Sequence, residues 1–423
     1  VGVDLELFNY DMVLYASPFY GGNDGVSGSN GFIDEELTVA YEIYNGSSTT
    51  EDVDTTLKYH YGVRGKSIEV DMSTSHTETV DVPSFWTKGL VRNVDTDTDY
   101  YKIQHAIDNA SAGDTLNVWA WTYYETLDVD RSSLKIIGNG TGNTTIDGQS
   151  ISDYVVHIYD PDVTIKSLKI INGSSDSIYI TSDDINLENI VVQNSGGWGI
   201  YASNSEDLTI SNSAVSSSAI GGIYTGTLTM IKTSSVINNN YYGVYANLGT
   251  NVENSTISGT TCSGSCSVHG YGIYVFGNSA FIYNNTISNN SYSGVFADGS
   301  TSSKYANNRV VDNAGDGIRF SYNWGGNYGK VINNQILRNE KSGLYVNGVD
   351  YCIIEGNTIQ NNDENGILLY GSVVNILSNN TISSNEELDI DLQLYSEDNY
   401  AINTIFSTIS VDSNSQLTIK EYV

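Results

Sequence analysis

Two groups of residues have types and spacing that could support chemistry. Asp312, Asp316 and Arg319 fall within one stretch of eight residues. Enzymes that cleave polysaccharides use either paired carboxylates for hydrolysis or a basic group for proton abstraction. In a chain with 50 Asp and Glu residues, a few neighbouring carboxylates are expected by chance. We therefore predict no catalytic residues and no enzyme, with a polysaccharide lyase or hydrolase as the alternative.

The second group is Cys262, Cys266 and His269, spaced C-x₃-C-x₂-H. Three soft ligands would need a fourth to hold zinc. A small disulfide that pins an exposed loop explains the same pair of cysteines in an extracellular protein. We predict the Cys262–Cys266 disulfide and no metal site. Cys352, the third cysteine, is predicted to be a buried core thiol.

An aromatic residue recurs two positions after a glycine or serine along the chain. Strand alternation turns the intervening aliphatic residue inward and the aromatic residue outward. The predicted strip either binds sugar rings or a neighbouring subunit, or stiffens a sheet by stacking. Its members are Tyr179, Tyr201, Tyr224, Tyr245, Tyr274, Phe296 and Tyr345.

These aromatic residues belong to a tandem repeat. Its frame is an Asn, an aliphatic residue three positions on, a second Asn three further on, and a Gly four after that, as in N-N-T-I-S-N-N-S-Y-S-G-V-F from Asn284. Most repeats are 21 to 23 residues long, as counted between glycines such as Gly294 and Gly317. Short alternating apolar runs broken by Asn, Ser and Gly favour a parallel β-solenoid over helical or leucine-rich repeats. We predict that the asparagines form two columns of stacked amides.

The repeat resembles the right-handed parallel β-helix repeats of pectate-lyase-like proteins and of archaeal-type surface proteins. The resemblance implies an all-β right-handed parallel β-helix of about twelve coils over residues 113–423. An acidic linker and a capping helix are predicted over residues 93–112, because Ile103, Ala106, Ile107 and Ala110 form one apolar stripe. Asp95, Asp97 and Asp99 resemble half of a calcium loop, but the Gly and Glu that such a loop needs are missing.

Residues 1–92 lack the repeat and contain short alternating strands separated by Gly- and Ser-rich turns, which suggest a β-sandwich. The segments E-E-L-T-V-A-Y-E-I-Y-N and V-D-V-P-S-F-W resemble immunoglobulin-like adhesion modules of the CARDB type. We therefore predict a CARDB-like β-sandwich in this part of the chain.

The charge balance limits the partners. A net charge of −32 repels nucleic acid and anionic lipid. No run of eighteen apolar residues is present, so no membrane insertion is predicted. We predict no cofactor, with loosely bound Ca²⁺ as the one ion that this surface favours. The first residue, Val1, suggests a processed N-terminus, and an extracellular or cell-surface location is predicted. Among the Asn-x-Ser/Thr sites, the turn-like Asn45, Asn139 and Asn289 are the predicted glycosylation sites.

The preferred function is that of an extracellular structural or adhesive surface protein, with a polysaccharide-active enzyme or a carbohydrate-binding module as alternatives. Both ends of the sequence are alternating strands, which could pair with a neighbouring copy. We therefore predict a head-to-tail filament whose partners are copies of the chain itself, and glycans as a second class of partner. The predicted assembly residues are Val1, Val3, Leu5, Leu7, Leu417, Ile419 and Val423.

Overall fold

The structure is a computed structural model that describes residues 3–9, 55–61, 64–70, 90–150, 153–263, 269–321 and 328–421. In the first part of the chain it contains an antiparallel three-stranded sheet: β1 (Val3–Asn9), β2 (Thr55–Tyr61) and β3 (Arg64–Val70). Val3, Leu5 and Leu7 lie in β1, which pairs with β2. Most of the predicted sandwich, together with Val1, Asn45 and Val423, lies outside the described residues.

The remaining elements are short strands and one helix. In chain order they are β4 (Val91–Asn93), β5 (Thr98–Tyr100), α1 (Ile103–Asp108), β6 (Thr115–Val118), β7 (Thr122–Tyr123), β8 (Leu127–Val129), β9 (Lys135–Gly138), β10 (Thr145–Asp147), β11 (Val156–Ile158), β12 (Thr164–Ile171), β13 (Ile178–Ile180), β14 (Asn186–Gln193), β15 (Trp198–Tyr201), β16 (Thr209–Ser211), β17 (Ala214–Ser216), β18 (Gly221–Tyr224), β19 (Met230–Lys232), β20 (Ser235–Ile237), β21 (Tyr242–Ala246), β22 (Asn251–Glu253), β23 (Thr256–Ser258), β24 (Tyr271–Val275), β25 (Phe281–Tyr283), β26 (Thr286–Ser288), β27 (Val295–Asp298), β28 (Lys304–Ala306), β29 (Arg309–Val311), β30 (Ile318–Ser321), β31 (Lys330–Ile332), β32 (Gln335–Leu337), β33 (Leu344–Asn347), β34 (Ile353–Glu355), β35 (Thr358–Gln360), β36 (Ile367–Tyr370), β37 (Ile376–Ser378), β38 (Thr381–Ser383), β39 (Ile390–Gln393), β40 (Asn399–Ile402), β41 (Ile409–Val411) and β42 (Leu417–Lys420).

The strands wind into a right-handed parallel β-helix of about twelve coils, as predicted. One strand of each coil joins a thirteen-stranded parallel sheet, which we call sheet 1 and which runs from β8 through β24 to β41. The other two strands of each coil join a larger sheet, sheet 2, and are separated by a sharp bend, as between β34 and β35. Each residue pairs with its counterpart in the next coil, so recurring side chains form columns.

The interior is filled by the aliphatic position of the repeat. One inward column of sheet 2 is almost completely buried and consists of Val192, Val215, Val236, Ile257, Ile287, Val310, Ile336, Ile359 and Ile382. Because the same position of every coil carries a branched aliphatic side chain, these side chains pack against one another and bring no polar atoms into the interior. The helix α1 packs against β6 and β8 and buries Ile103, Ala106 and Ile107.

The asparagine columns differ from the prediction in one respect. The predicted first column, which includes Asn284, Asn307 and Asn333, lies at the bend of sheet 2 with positive φ and exposed side chains. The buried amide ladder is formed by the following residue in each coil: Asn285, Asn308, Asn334, Asn357 and Asn380. The predicted second column forms a ladder as expected, with Nδ2–Oδ1 distances of 2.8–2.9 Å from Asn290 to Asn385.

Candidate functional site

The outward face of sheet 1 carries a continuous column of side chains. Strand pairing places these residues in register, one per coil: Asp128, His157, Tyr179, Tyr201, Tyr224, Tyr245, Tyr274, Phe296, Arg319, Tyr345, Leu368, Asp391 and Ser410. From Tyr179 to Phe296, neighbouring ring centroids are 4.4–5.6 Å apart. We call the column from His157 to Tyr345 the aromatic strip.

A second aromatic row supports the strip from one side; Trp198 was expected to add to the strip, whereas Tyr242 and Tyr271 were not predicted. Trp198, Tyr242 and Tyr271 each lie three residues before a strip tyrosine. The indole of Trp198 is 8% exposed and stacks on Tyr242 at 5.8 Å. Gly221 lies between them in the sheet, where a Cβ atom would come within 2.2 Å of the indole. The glycine therefore leaves the space that the indole fills.

One cation interrupts the strip. The guanidinium of Arg319 lies 5.8 Å from the ring of Phe296 and 4.6 Å from that of Tyr345. Its Nη1 atom is 3.2 Å from Oδ2 of Asp316, which is 2% exposed. Burial raises the pKa of Asp316 to about 6, although the charge and hydrogen bond of Arg319 act in the opposite direction. The ion pair with the buried carboxylate of Asp316 fixes the guanidinium of Arg319 between two rings.

The structure separates Asp312 from the other two residues of its predicted group. Asp312 has a φ of 57° at a bend, and its carboxylate forms two 2.8 Å hydrogen bonds with Arg338. Asp316 and Arg319 are therefore together, and Asp312 belongs to a surface ion pair. In the middle of the strip, the hydroxyl of Tyr274 donates to Oδ2 of Asp298 at 2.7 Å. Burial and this hydrogen bond raise the pKa of Tyr274, which keeps the phenol protonated.

A histidine surrounded by tyrosines lies at the other end of the strip and was also missed. The imidazole of His157 stacks on Tyr159 at 3.6 Å and meets Tyr154 and Tyr179 edge-on at 5.3 and 4.8 Å. Burial lowers the pKa of His157, partly offset by the negative charge of Asp128 in the neighbouring strand. A neutral imidazole can accept a proton. The sequence signal was the alternating run Val155 to Tyr159, which carries an outward His where later coils carry Tyr.

The other predicted sites lie away from the strip. Cys262 is disulfide-bonded, whereas its predicted partner Cys266 lies outside the described residues, and Cys352 is a free, buried thiol. Asn139 and Asn289 are exposed.

The acidic segment before the helix uses its carboxylates within the chain. Asp95 accepts a hydrogen bond from the backbone N–H of Thr115, while Asp97 and Asp99 pair with Arg92. Among the described residues, no group of three or more His, Cys, Asp or Glu side chains is arranged to hold a metal ion. No helix in the same part of the chain is long and apolar enough to cross a membrane.

Comparisons with known proteins concern the coils. The family described as "Right handed beta helix region" matches residues 223–328 and 323–423. No curated protein matches the chain. Among solved structures, the A-module of the mannuronan C-5 epimerase AlgE4 from Azotobacter vinelandii is 15% identical, with a TM-score of 0.54 over 75% of this chain and 94% of that module.

Two further structures show the same fold. The catalytic domain of a GH87 α-1,3-glucanase is 15% identical, with a TM-score of 0.51, over 72% of this chain and 63% of that one. The Dettilon tailspike protein is 16% identical, with a TM-score of 0.51, over 72% of this chain and 61% of that one.

These comparisons correct the prediction that the chain is not an enzyme. The similar structures include an epimerase module and a glucanase catalytic domain, so the prediction was wrong to treat this architecture as non-enzymatic. It rested on the expectation that a few carboxylates lie close together by chance in so acidic a chain, and the same scaffold supports many chemistries. What the chain shares with these structures is the right-handed parallel β-helix.

Proposed function

We propose that this protein binds a polysaccharide along the aromatic strip and acts on it by proton transfer. The observation that carries the proposal is the unbroken outward column from His157 to Tyr345 on one sheet. Flat tyrosine rings stack against the apolar faces of sugar rings, and their hydroxyls form hydrogen bonds with sugar hydroxyls. The similar folds of the epimerase module and the glucanase catalytic domain also support a polysaccharide as the substrate.

The two ends of the strip suit different tasks. His157 is positioned to act as the general base, with the ring of Tyr159 stacked on it and the hydroxyl of Thr181 3.4 Å from its Nε2 atom. Arg319 lies seven strands away, about 34 Å at the usual spacing between strands. At that distance it would anchor a remote sugar by its carboxylate or hydroxyl groups rather than take part in the reaction. Tyrosines between the two ends would hold the intervening chain.

Turnover and binding of a panel of acidic and neutral polysaccharides test this proposal. His157→Gln should lower turnover by at least roughly a hundredfold while leaving binding intact. Tyr245→Ala should weaken binding. His105→Gln and Tyr351→Ala, which change the same residue types outside the strip, are the controls. Turnover in His157→Gln equal to that of the unmodified protein, or unchanged binding in Tyr245→Ala, would overturn the proposal.

A second candidate is assembly into a filament, which is favoured by the apolar surface of the last coils. Ile405 and Ile419 are 67% and 53% exposed, and Ile409 and Val411 are also exposed. Strand β42, which contains Leu417 and Ile419, pairs with β40 on one side. A strand of a second copy could extend this edge. We also propose that the protein lies outside the cell. The disulfide bond of Cys262 supports this location, because disulfides persist in oxidising surroundings.

Removing residues 415–423 tests the filament directly. Sedimentation velocity should show polymers of the full chain that disappear in the truncated protein, because the pairing edge is lost. Polymers that survive the truncation, or a full chain that is strictly monomeric, would contradict the assembly. Far-UV circular dichroism of both proteins checks that the coils remain folded.

A further inference from the structure

Sheet 2 carries a groove that is separate from the aromatic strip. It has a volume of about 460 Å³ and follows the bend across four successive coils, from Asn189 to Thr256. At the usual spacing the three steps between these coils cover about 14 Å. Its lining is uncharged and consists mainly of small hydroxyl and amide side chains, among them Asn212, Ser213, Thr233 and Ser235. Such a lining can donate and accept hydrogen bonds along an extended ligand.

The coil that follows the groove carries two aromatic rings on the strand that leads into the bend. Asn284 donates a hydrogen bond from Nδ2 to Oδ1 of Asn254, so the coil that contains Phe281 directly follows the last coil of the groove. Phe281 and Tyr283 both point outward from β25, and their rings stack at 5.3 Å with an interplanar angle of 20°. A stacked, partly exposed pair of rings beside a polar groove presents a flat apolar surface to a sugar ring.

Two lysines continue the column beyond these rings. Lys304 pairs in register with Phe281, and Lys330 with Lys304. The ammonium group of Lys304 lies 5.4 Å from the centre of the Phe281 ring. Neither lysine forms an ion pair with a carboxylate in the described part of the chain. Like charges opposite one another on neighbouring strands are destabilising, and an anionic ligand would remove that repulsion.

The charge distribution makes these lysines unusual for this protein. The whole chain has a net charge of −32, yet residues 304–341 contain six Lys or Arg residues against three Asp or Glu residues. Of the six, Arg319 and Arg338 are paired with carboxylates. Lys304 and Lys330 are therefore positive charges held together on one sheet, in the two coils that follow the aromatic pair. On the other side of the pair, Glu253 is in register with Tyr283 and is the carboxylate beside the rings.

We propose that this groove is a second saccharide-binding site, and that the polysaccharide it holds carries anionic groups. The polar bend would bind sugar hydroxyls, Phe281 and Tyr283 would stack on a sugar ring, and the two lysines would meet the acidic groups. This second site uses residues that do not belong to the aromatic strip. An experiment can therefore disprove one of the two sites without disproving the other.

Binding of the full chain to sodium alginate and to dextran of matched length tests the site. The double variant Lys304→Gln/Lys330→Gln should bind alginate about tenfold more weakly at low salt, with dextran binding unchanged. The difference should shrink near 1 M salt, where screening acts over about 3 Å. Lys102→Gln/Lys135→Gln is the matched control, because it removes the same charge and Lys135 lies in the same column at the far end of the β-helix.

Four results would each overturn the saccharide site. Equal weakening of alginate binding by both double variants would show a general charge effect, and unchanged alginate binding would show that the two lysines do not contact the ligand. If Lys304→Gln/Lys330→Gln instead changes the sedimentation coefficient of the protein alone, the occupant of the groove is a second copy of the chain. The lysine dependence should persist in Tyr245→Ala, whose strip is impaired, and its loss there would place the bound polysaccharide on the strip.

Discussion

The bend of sheet 2 uses two adjacent asparagines in opposite ways. Asn333 is exposed with a φ of 55°, while Asn334 is 1% exposed and its side chain takes part in four hydrogen bonds. The first residue is selected for its backbone, since asparagine tolerates the left-handed conformation at low cost. The second is selected for its side chain, since a primary amide can donate and accept at once between coils. One residue type thus serves a conformational role and an interaction role at neighbouring positions.

Removing the buried amide should have the largest effect. Asn334→Ala removes the side-chain oxygen that accepts from the backbone N–H of Asn308. It also removes the side-chain nitrogen that donates to the carbonyl of Tyr305. Each buried polar group left unsatisfied costs about 1–3 kcal/mol, so we expect a loss of about 4 kcal/mol in the free energy of unfolding. Urea denaturation measures this loss. Asn333→Ala changes the neighbouring asparagine and is the control; a loss of equal size in both variants would contradict the distinction.

A buried carboxylate provides a contrast with the buried amide of Asn334. An ionised carboxylate accepts hydrogen bonds but cannot donate them, whereas a primary amide does both. The pKa of Asp316 is raised to about 6 by burial, so the folded state disfavours the ionised form. Asp316 therefore increases the free energy of unfolding at pH values below its ordinary pKa near 4. This contribution is lost as the pH rises through 6. Relative to Asp316→Asn, the unmodified protein should therefore lose about 2 kcal/mol between pH 4 and pH 7.

Urea denaturation of both proteins across this pH range measures the difference. Asp312→Asn removes the same charge at the surface and controls for the change in net charge. Parallel stability profiles for the unmodified protein and Asp316→Asn would contradict the assignment. The sign matters, because a carboxylate stabilised mainly by Arg319 would make the protein more stable as the pH rises.

The sequence could predict these columns, but in the first asparagine column it could not predict which of the two adjacent asparagines faces inward. The glycine period and the alternation of short strands are visible in the residues themselves, and they were sufficient for the coils and for the register of the aromatic strip. The amide ladder was assigned one residue too early, because a left-handed residue redirects the chain and turns the following side chain inward. A strict alternation rule does not include that step.

The missed residues have a similar cause. Tyr242 and Tyr271 lie outward three positions before a strip residue, because two consecutive residues between them and that strip residue, such as Gly243 and Val244, face the interior. His157 was missed because its coil repeats the pattern only weakly. Neither the lysine pair of sheet 2 nor the Arg319–Asp316 pair follows from periodicity, since each is a departure from the repeat.

The smallest expected effect concerns the exposed asparagine alone. Asn333→Ala places a residue with little tolerance for positive φ at 55°, which should cost about 1 kcal/mol. Asn333→Gly should be nearly neutral, because glycine adopts this conformation freely but also gains entropy in the unfolded chain. The protein contains this replacement already: Gly356 occupies the equivalent bend of the next coil with a φ of 66°. If denaturation instead shows Asn333→Gly to be as damaging as Asn333→Ala, the side chain of Asn333 matters at the bend, and the division of roles between the two asparagines is wrong.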